Sequence, residues 1–339
     1  MAGNIVLFAA IRSFFSPLGN NHLFARKYLN MSTQEARPQI EVNPATLDQG
    51  DRICRNSVKQ CFSKYAWVVG NQPGEQKKSL NAILNLVVRA IDYLDLESAD
   101  GLPLDVWCEF RDELSDAFQG NYSSEDLYCL VHAAKKHSIP RQYFFDMLNG
   151  IDFWIRNRGF ETYDDLLVFA YQMGGAPLTA SVPVLGFVKE GYEEAACSAG
   201  QAIFLTQVLA NIVRDTKLNK MFIAKQDIVN TDLSIARLKV RKNSPELKHL
   251  VRLYGSRIEK LMYAGGKLVD YLDFDARRTF TSLLSVHWSM LIAMRLKPEV
   301  VLNPDGVLSR KEMFKLKTKH FMGTEGNIPV FPEIDHHHH

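Results

Sequence analysis

Several familiar chemistries are missing from this 339-residue chain. Its five cysteines, Cys54, Cys61, Cys108, Cys129 and Cys197, form no C-x-x-C pair and show no zinc spacing, so the sequence predicts reduced thiols rather than a disulfide framework or a zinc ribbon. Lysine and arginine number 40 against 38 acids, leaving a net charge of +2. Without a basic stripe or an aromatic–basic module, nucleic-acid binding is not expected. No uninterrupted apolar run reaches eighteen residues. The nearest, from Phe280 to Leu296, is broken by Ser282, Ser285, His287, Ser289 and Arg295, so it reads as a core helix and no transmembrane span is expected. His287 and Trp288 within it read as core residues with a satisfied polar edge. Glycine-rich phosphate loops, Ser–His–Asp or Cys–His arrangements, alternating β-branched runs and fixed-period repeats are also missing.

What remains is helical periodicity. The first 34 residues contain Arg12, Arg26 and Lys27 and no acid, a composition like that of a plastid or mitochondrial transit segment. The alternatives are a disordered tail or an ordered protein beginning near Met31, with a cytoplasmic location if no leader operates. We divide the chain into a leader at 1–48, a helical domain at 49–322 and a tail at 323–339 whose closing histidines read as a tag or tail. Amphipathic helices are expected from Ile53 to Ala66, Glu75 to Glu97, Leu104 to Phe118, about Ser124 to His137, from Pro140 onward, and after the cap Thr162–Asp165. A kink or break that opens space for a ligand is expected at Gly174-Gly-Ala-Pro177. Further helices follow over 189–216, 246–264, 273–296 and 308–321. The fold class is therefore all-α.

Two of these helices carry polar stripes in apolar surroundings. On Glu75–Glu97, Arg89, Asp92 and Asp95 recur at i, i+3 and i+6. In Leu205–Ile228, Asn211, Asp215 and Asn219 recur every fourth residue, with Arg214, Lys217 and Lys220 beside them. Burying acids and amides costs free energy unless something compensates, and a hard divalent cation holding a diphosphate suits oxygen donors on such a face. Phe153, Trp154, Phe169 and Tyr171 are candidates either for core packing or for lining an apolar tunnel.

The segments RAIDYLD, FETYDDLLVFAYQMGGAPLTASVPVLG and ANIVRD, in this order and spacing, resemble the squalene/phytoene synthase family over roughly residues 51–320. The basic LSRKEMFKLK helix is also similar to that family's C-terminal segment. The resemblance implies a single-domain isoprenoid-synthase-type bundle around a central cavity, and a transferase in which Mg²⁺ bridges two aspartate motifs to a prenyl diphosphate. By position, Asp92, Asp95, Asp215 and Asn219 would then hold metal. Arg89, Asn211, Arg214 and Lys220 would contact diphosphate, and Ser63 and Tyr65 lie near an early phosphate-binding stretch. Geranyl, farnesyl or geranylgeranyl diphosphate would be the substrate.

Departures from the family pattern shift this expectation. Leu96 stands where the first motif's second acid falls, the second motif reads Asp215-Thr-Lys-Leu-Asn219, and Gln207 lies one place from the usual glutamine position. Fewer acids and more lysines predict fewer bound Mg²⁺ ions and easier binding of one diphosphate than of two. The expected activity is thus ionisation of one allylic diphosphate and capture of the prenyl group by an acceptor, diverged from squalene or phytoene formation. Alternatives are prenylation of a small amine or an amino acid such as glutamate, as in algal kainoid biosynthesis, and a catalytically inactive assembly or interaction protein.

Overall fold

The computed structural model describes residues 39–61, 72–100, 104–303 and 306–322; for helical residues 91, 92, 94–100, 104–106, 310, 317 and 319–322 it describes the backbone alone. Ser63 and Tyr65 lie outside the described residues. Helices account for nearly all regular structure, and among the described residues the β-type pairing is an isolated bridge between Phe187 and Leu272. The all-α expectation holds.

The first helix, α1, spans Pro44–Cys61 and begins inside the stretch read as leader. Local chemistry explains the early start. Asn43 Oδ1 accepts from the Thr46 amide at 3.1 Å, Thr46 Oγ1 accepts from the Asn43 amide at 3.2 Å, and Pro44 takes the first-turn position where a missing N–H costs little. Helix α2 (Gly74–Asp100) is long and is buried over 79–90, followed by α3 (Leu104–Gln119) and α4 (Glu125–Lys136). Ser124 takes the N-cap position of α4 but makes no side-chain cap bond. The next helix, α5 (Gln142–Asn157), starts two residues beyond the proline expected to open it.

Thr162 caps α6 (Tyr163–Ala170) as its sequence predicts, with Asp165 closing a reciprocal capping box. The helix does not break at Gly174–Pro177, where a kink or break is expected. The chain instead passes through one π-helical turn, Tyr171–Gly175, straight into α7 (Ala176–Leu185). Glycine is what permits this. Any Cβ at Gly174 would overlap the Gly200 carbonyl and one at Gly200 would overlap Gly174, so paired glycines close the backbones together where space for a ligand was expected.

Gly200 lies on α8 (Glu193–Lys217), the central helix. Its length and composition suit a membrane span, yet 83% of its apolar window is buried against its neighbours, which is the environment of a core helix. Buried hydroxyls here fold back on the helix itself: Thr206 Oγ1 donates to the Ala202 carbonyl at 2.7 Å and Thr216 Oγ1 to Ile212 at 2.6 Å, leaving an apolar surface for packing. After α8 come the short α9 (Lys225–Asn230) and α10 (Ile235–Lys239), then α11 (Pro245–Gly266), α12 (Phe274–Leu296) and α13 (Arg310–Met322). Helix α11 crosses α8 closely, because Gly265 packs on the Ala199 backbone. Helix α7 packs against both α2 and α8, so it ties together the two helices that carry the polar stripes.

Candidate active site

The end of α8 is a buried polar turn inside an apolar helix. Asp215 is only 2% exposed, Asn211 and Arg214 are half-buried, and Arg214 Nε stands 3.7 Å from Asp215 Oδ1. Asn211 donates its Nδ2–H to the Gln207 carbonyl at 2.8 Å, so its remaining polar atom is an oxygen. One turn of helix therefore brings three of the predicted residues together.

Asn219 does not join them. Helix α8 ends at Lys217, Asn219 adopts a left-handed conformation (φ 57°) in the following turn, and its exposed side chain accepts from Lys239 Nζ of α10 at 2.8 Å. The fourfold spacing is sound, but the helix it presumes stops first. Asn219 thus lies beyond the helical face that carries Asn211 and Asp215. Lys220 is buried, its amide donating to the Asp215 carbonyl at 2.8 Å, while Lys217 is exposed.

The loop beyond is firmly anchored. Phe222 stacks on Trp154 with ring centroids 4.4 Å apart and sits near Phe169 at 6.0 Å, and the Ala224 amide donates to Tyr254 Oη at 3.1 Å. Asp227, on α9, accepts from Tyr254 Oη and from both Arg257 guanidinium nitrogens, at 2.6 and 3.1 Å. Burial chiefly pushes the Tyr254 phenol far above its ordinary value, so it stays a donor. Trp154 and Phe169, offered as tunnel candidates, are buried in this aromatic packing with Phe160, and half-buried Phe153 stacks on Phe160. Tyr171, in the π turn, donates to Asp146 of α5 at 2.6 Å.

On α2 the structure places Arg89 in a lock that sequence reasoning missed. Its Nη2 lies 2.9 and 2.8 Å from the two oxygens of Asp126 on α4, both side chains are about 3% exposed, and Asn85 donates to the same carboxylate at 2.8 Å. The guanidinium also covers the Phe110 ring at 5.0 Å. Asp126 had a visible signal, an acid in the first turn of a helix, but that position reads as dipole compensation until the tertiary partner is known. Asp92 and Asp95 lie on α2 one and two turns beyond Arg89, and their side chains are outside the described set.

A second missed pair ties α8 to α12. Buried His287 donates from Nδ1 to the Leu283 carbonyl at 2.9 Å, which leaves Nε2 as acceptor for Gln207 Nε2 at 3.0 Å. Burial holds its pKa down at about 4, so the imidazole is neutral.

The donor chemistry around Asp215 and Asn211, a carboxylate and an amide oxygen, suits Mg²⁺, and the Asp92 and Asp95 carboxylates on α2 would add oxygens of the same kind. Among the described side chains no three His, Cys, Asp or Glu residues cluster as a complete metal site.

A family model for squalene/phytoene synthase matches residues 63–311. The chain belongs to the squalene/phytoene synthase family. Its curated relatives include the chloroplastic phytoene synthase 1 of Zea mays, 28% identical over 156 residues that cover 38% of each chain, and the 15-cis-phytoene synthase of a Paracoccus strain, 24% identical over 182 residues, 53% of this chain and 55% of that one. The match thus spans about two fifths of the first of these relatives and just over half of the second. In fold, the chain is similar to a dehydrosqualene synthase (TM-score 0.72, 16% identity, 84% of this chain and 99% of that one). It is also similar to squalene synthase HpnC of Alicyclobacillus acidocaldarius (TM-score 0.67, 15% identity, 75% and 96%). Within this family, both α2 and the buried turn of α8 lie in the matched stretch.

Proposed function

We propose that this family member is a Mg²⁺-dependent transferase that ionises one allylic prenyl diphosphate, geranyl, farnesyl or geranylgeranyl, and delivers the prenyl group to an acceptor. The observation that carries the reading is the buried turn of α8, which gathers Asn211, Arg214 and Asp215 while α7 joins that helix to α2. An apolar helix tolerates such a turn when a ligand of matching charge completes it.

Asp215, Asn211, Asp92 and Asp95 would hold the metal, and bound Mg²⁺ would supply charge neutralisation on the diphosphate oxygens. Arg214, beside Asp215 and partly open to solvent, would orient the diphosphate by charge-assisted hydrogen bonds. Lys220 would add a positive charge behind the same turn. Arg89, already bound to Asp126, would act as a fixed strut of the α2 half more than as a mobile clamp. In the transfer, the C1–O bond breaks, diphosphate leaves with the bonding electron pair, and the acceptor bonds to C1 and gives up a proton. The aromatic cluster around Trp154, Phe169 and Phe222 backs this region and keeps water out of it.

The decisive experiment measures diphosphate release from the three prenyl diphosphates with and without Mg²⁺ and with and without a pool of amino acids, with products read by mass spectrometry. Metal-dependent release with a prenylated or hydrocarbon product supports the transferase; an amino-acid adduct identifies an amine acceptor. The absence of release from all three substrates would overturn the reading in favour of a non-catalytic assembly role. The acid-poor leader and the chloroplastic relatives support an organellar location, tested by imaging the full chain against a variant starting at Met31.

A further inference from the structure

A surplus of positive charge runs from the candidate active site into the residues that follow it. Residues 214–242 carry eight lysines or arginines against three aspartates, in a chain whose overall net charge is only +2. The aspartates are largely occupied within the fold: Asp215 faces Arg214, and Asp227 is held by Arg257 and Tyr254. By contrast, half-buried Lys239 finds an amide, Asn219, and no carboxylate among the described residues pairs with Lys239 or with exposed Lys217.

The geometry at Asn219 separates this arrangement from ordinary charge compensation at a helix end. Lysines that merely compensate a helix C-terminus reach its last carbonyls. Here Lys239 comes from a different helix, α10, and its ammonium donates to a side chain that the left-handed turn at Asn219 has swung out of the α8 stripe. An ammonium carries three N–H groups, so two remain for a ligand on the exposed side. Lys217 stands two residues away on the last turn of α8, which packs against α10. At the position where the second motif would otherwise end in an acid, the chain presents ammonium groups around a neutral amide.

We propose that Lys217 and Lys239 form a metal-independent subsite for a diphosphate anion, adjoining the metal-dependent site at Asp215. This rests on reading the end of α8 as a diphosphate-binding turn. An acid at residue 219 would need a cation between it and a phosphate; an amide held by a lysine needs none. The chain therefore neutralises this part of the anion with its own side chains.

Isothermal titration of inorganic pyrophosphate into the full chain at low ionic strength, once in EDTA and once in Mg²⁺, tests the subsite. Binding in EDTA is expected, and Lys217→Gln combined with Lys239→Gln should weaken it at least tenfold. Lys217 is exposed and Lys239 half-buried, and far-UV circular dichroism checks that the variant folds. Asp215→Asn should remove the gain that Mg²⁺ brings, while binding in EDTA persists and is no weaker than in the unaltered chain, because a negative charge beside the anion is lost. Absence of binding in EDTA, or binding that the double glutamine variant leaves unchanged, overturns the proposal. Glutamate binding more tightly than pyrophosphate would also overturn the diphosphate assignment. Failure of the transferase reading has a different signature: no prenyl diphosphate is cleaved, whatever the lysine variants do to the titration.

Discussion

The two halves of the candidate site handle charge in opposite ways. On α2, Arg89 is buried and answered by Asp126 from a neighbouring helix, with Asn85 completing the carboxylate. At the end of α8, Asp215 shares its turn with Arg214, and the residues that follow add cations faster than acids. The first half is an internally balanced strut, whereas the second holds surplus positive charge at its rim. Buried charges must be paired, which makes the α2 half rigid; ammonium groups at least partly open to solvent cost little to leave available, and the subsite proposed for the α8 half would use them to hold an anion.

The largest expected effect comes from breaking the strut. Asp126→Ala leaves the Arg89 guanidinium buried without its carboxylate and should cost about 3–5 kcal/mol of stability, measured by denaturant unfolding. Replacing both partners by apolar residues should recover much of that loss. If Asp126→Ala is nearly neutral, the contrast between a locked half and an open half fails.

His287 gives the next effect, through pH. Its pKa lies at about 4 in the fold against an ordinary value of 6.5, so the unfolded chain takes up the proton first as pH falls. The associated stability is fully present above pH 6.5 and is lost progressively as pH drops toward 4, a total of about 3 kcal/mol for a shift of this size. Unfolding curves at several pH values in this window should show the slope, and His287→Leu should flatten it.

Asp215→Ala should lower the rate of diphosphate release roughly 10²-fold or more, equivalent to about 2.7 kcal/mol of transition-state stabilisation, with a smaller effect on folding than Asp126→Ala. A rate change without that asymmetry would mean both acids are structural. The smallest effect is expected at the rim. Asn219→Asp would give Lys239 a carboxylate in an exposed pair worth about 0–1 kcal/mol, and aspartate tolerates the left-handed backbone there. Its informative readout is the pyrophosphate titration in EDTA, which should weaken.

Much of the architecture was legible because helical periodicity and caps are local. Thr162–Asp165 announces its capping box within four residues, and the 3.6-residue apolar repeat marks α2 and α12 without tertiary information. The failures occurred where a distant partner decided the outcome. Gly174 and Pro177 look like helix breakers in isolation, yet contact with Gly200 turns them into a continuous π-containing helix. Asn219 fits the i+4 spacing, but Lys239 and the end of α8 remove it from the stripe.

By itself, then, the sequence determined that the chain is helical, that two helices carry acids in apolar surroundings, and which family motifs they resemble. These properties follow from side-chain order along one helix and require no knowledge of neighbours. Tertiary structure decided which charges are matched and which are offered outward: Asp126 for Arg89, Gln207 for His287, Lys239 for Asn219. Each pair joins residues at least 20 positions apart, so its existence depends on how helices pack, and the free energy of a buried or exposed charge is set by that partner and not by the residue alone.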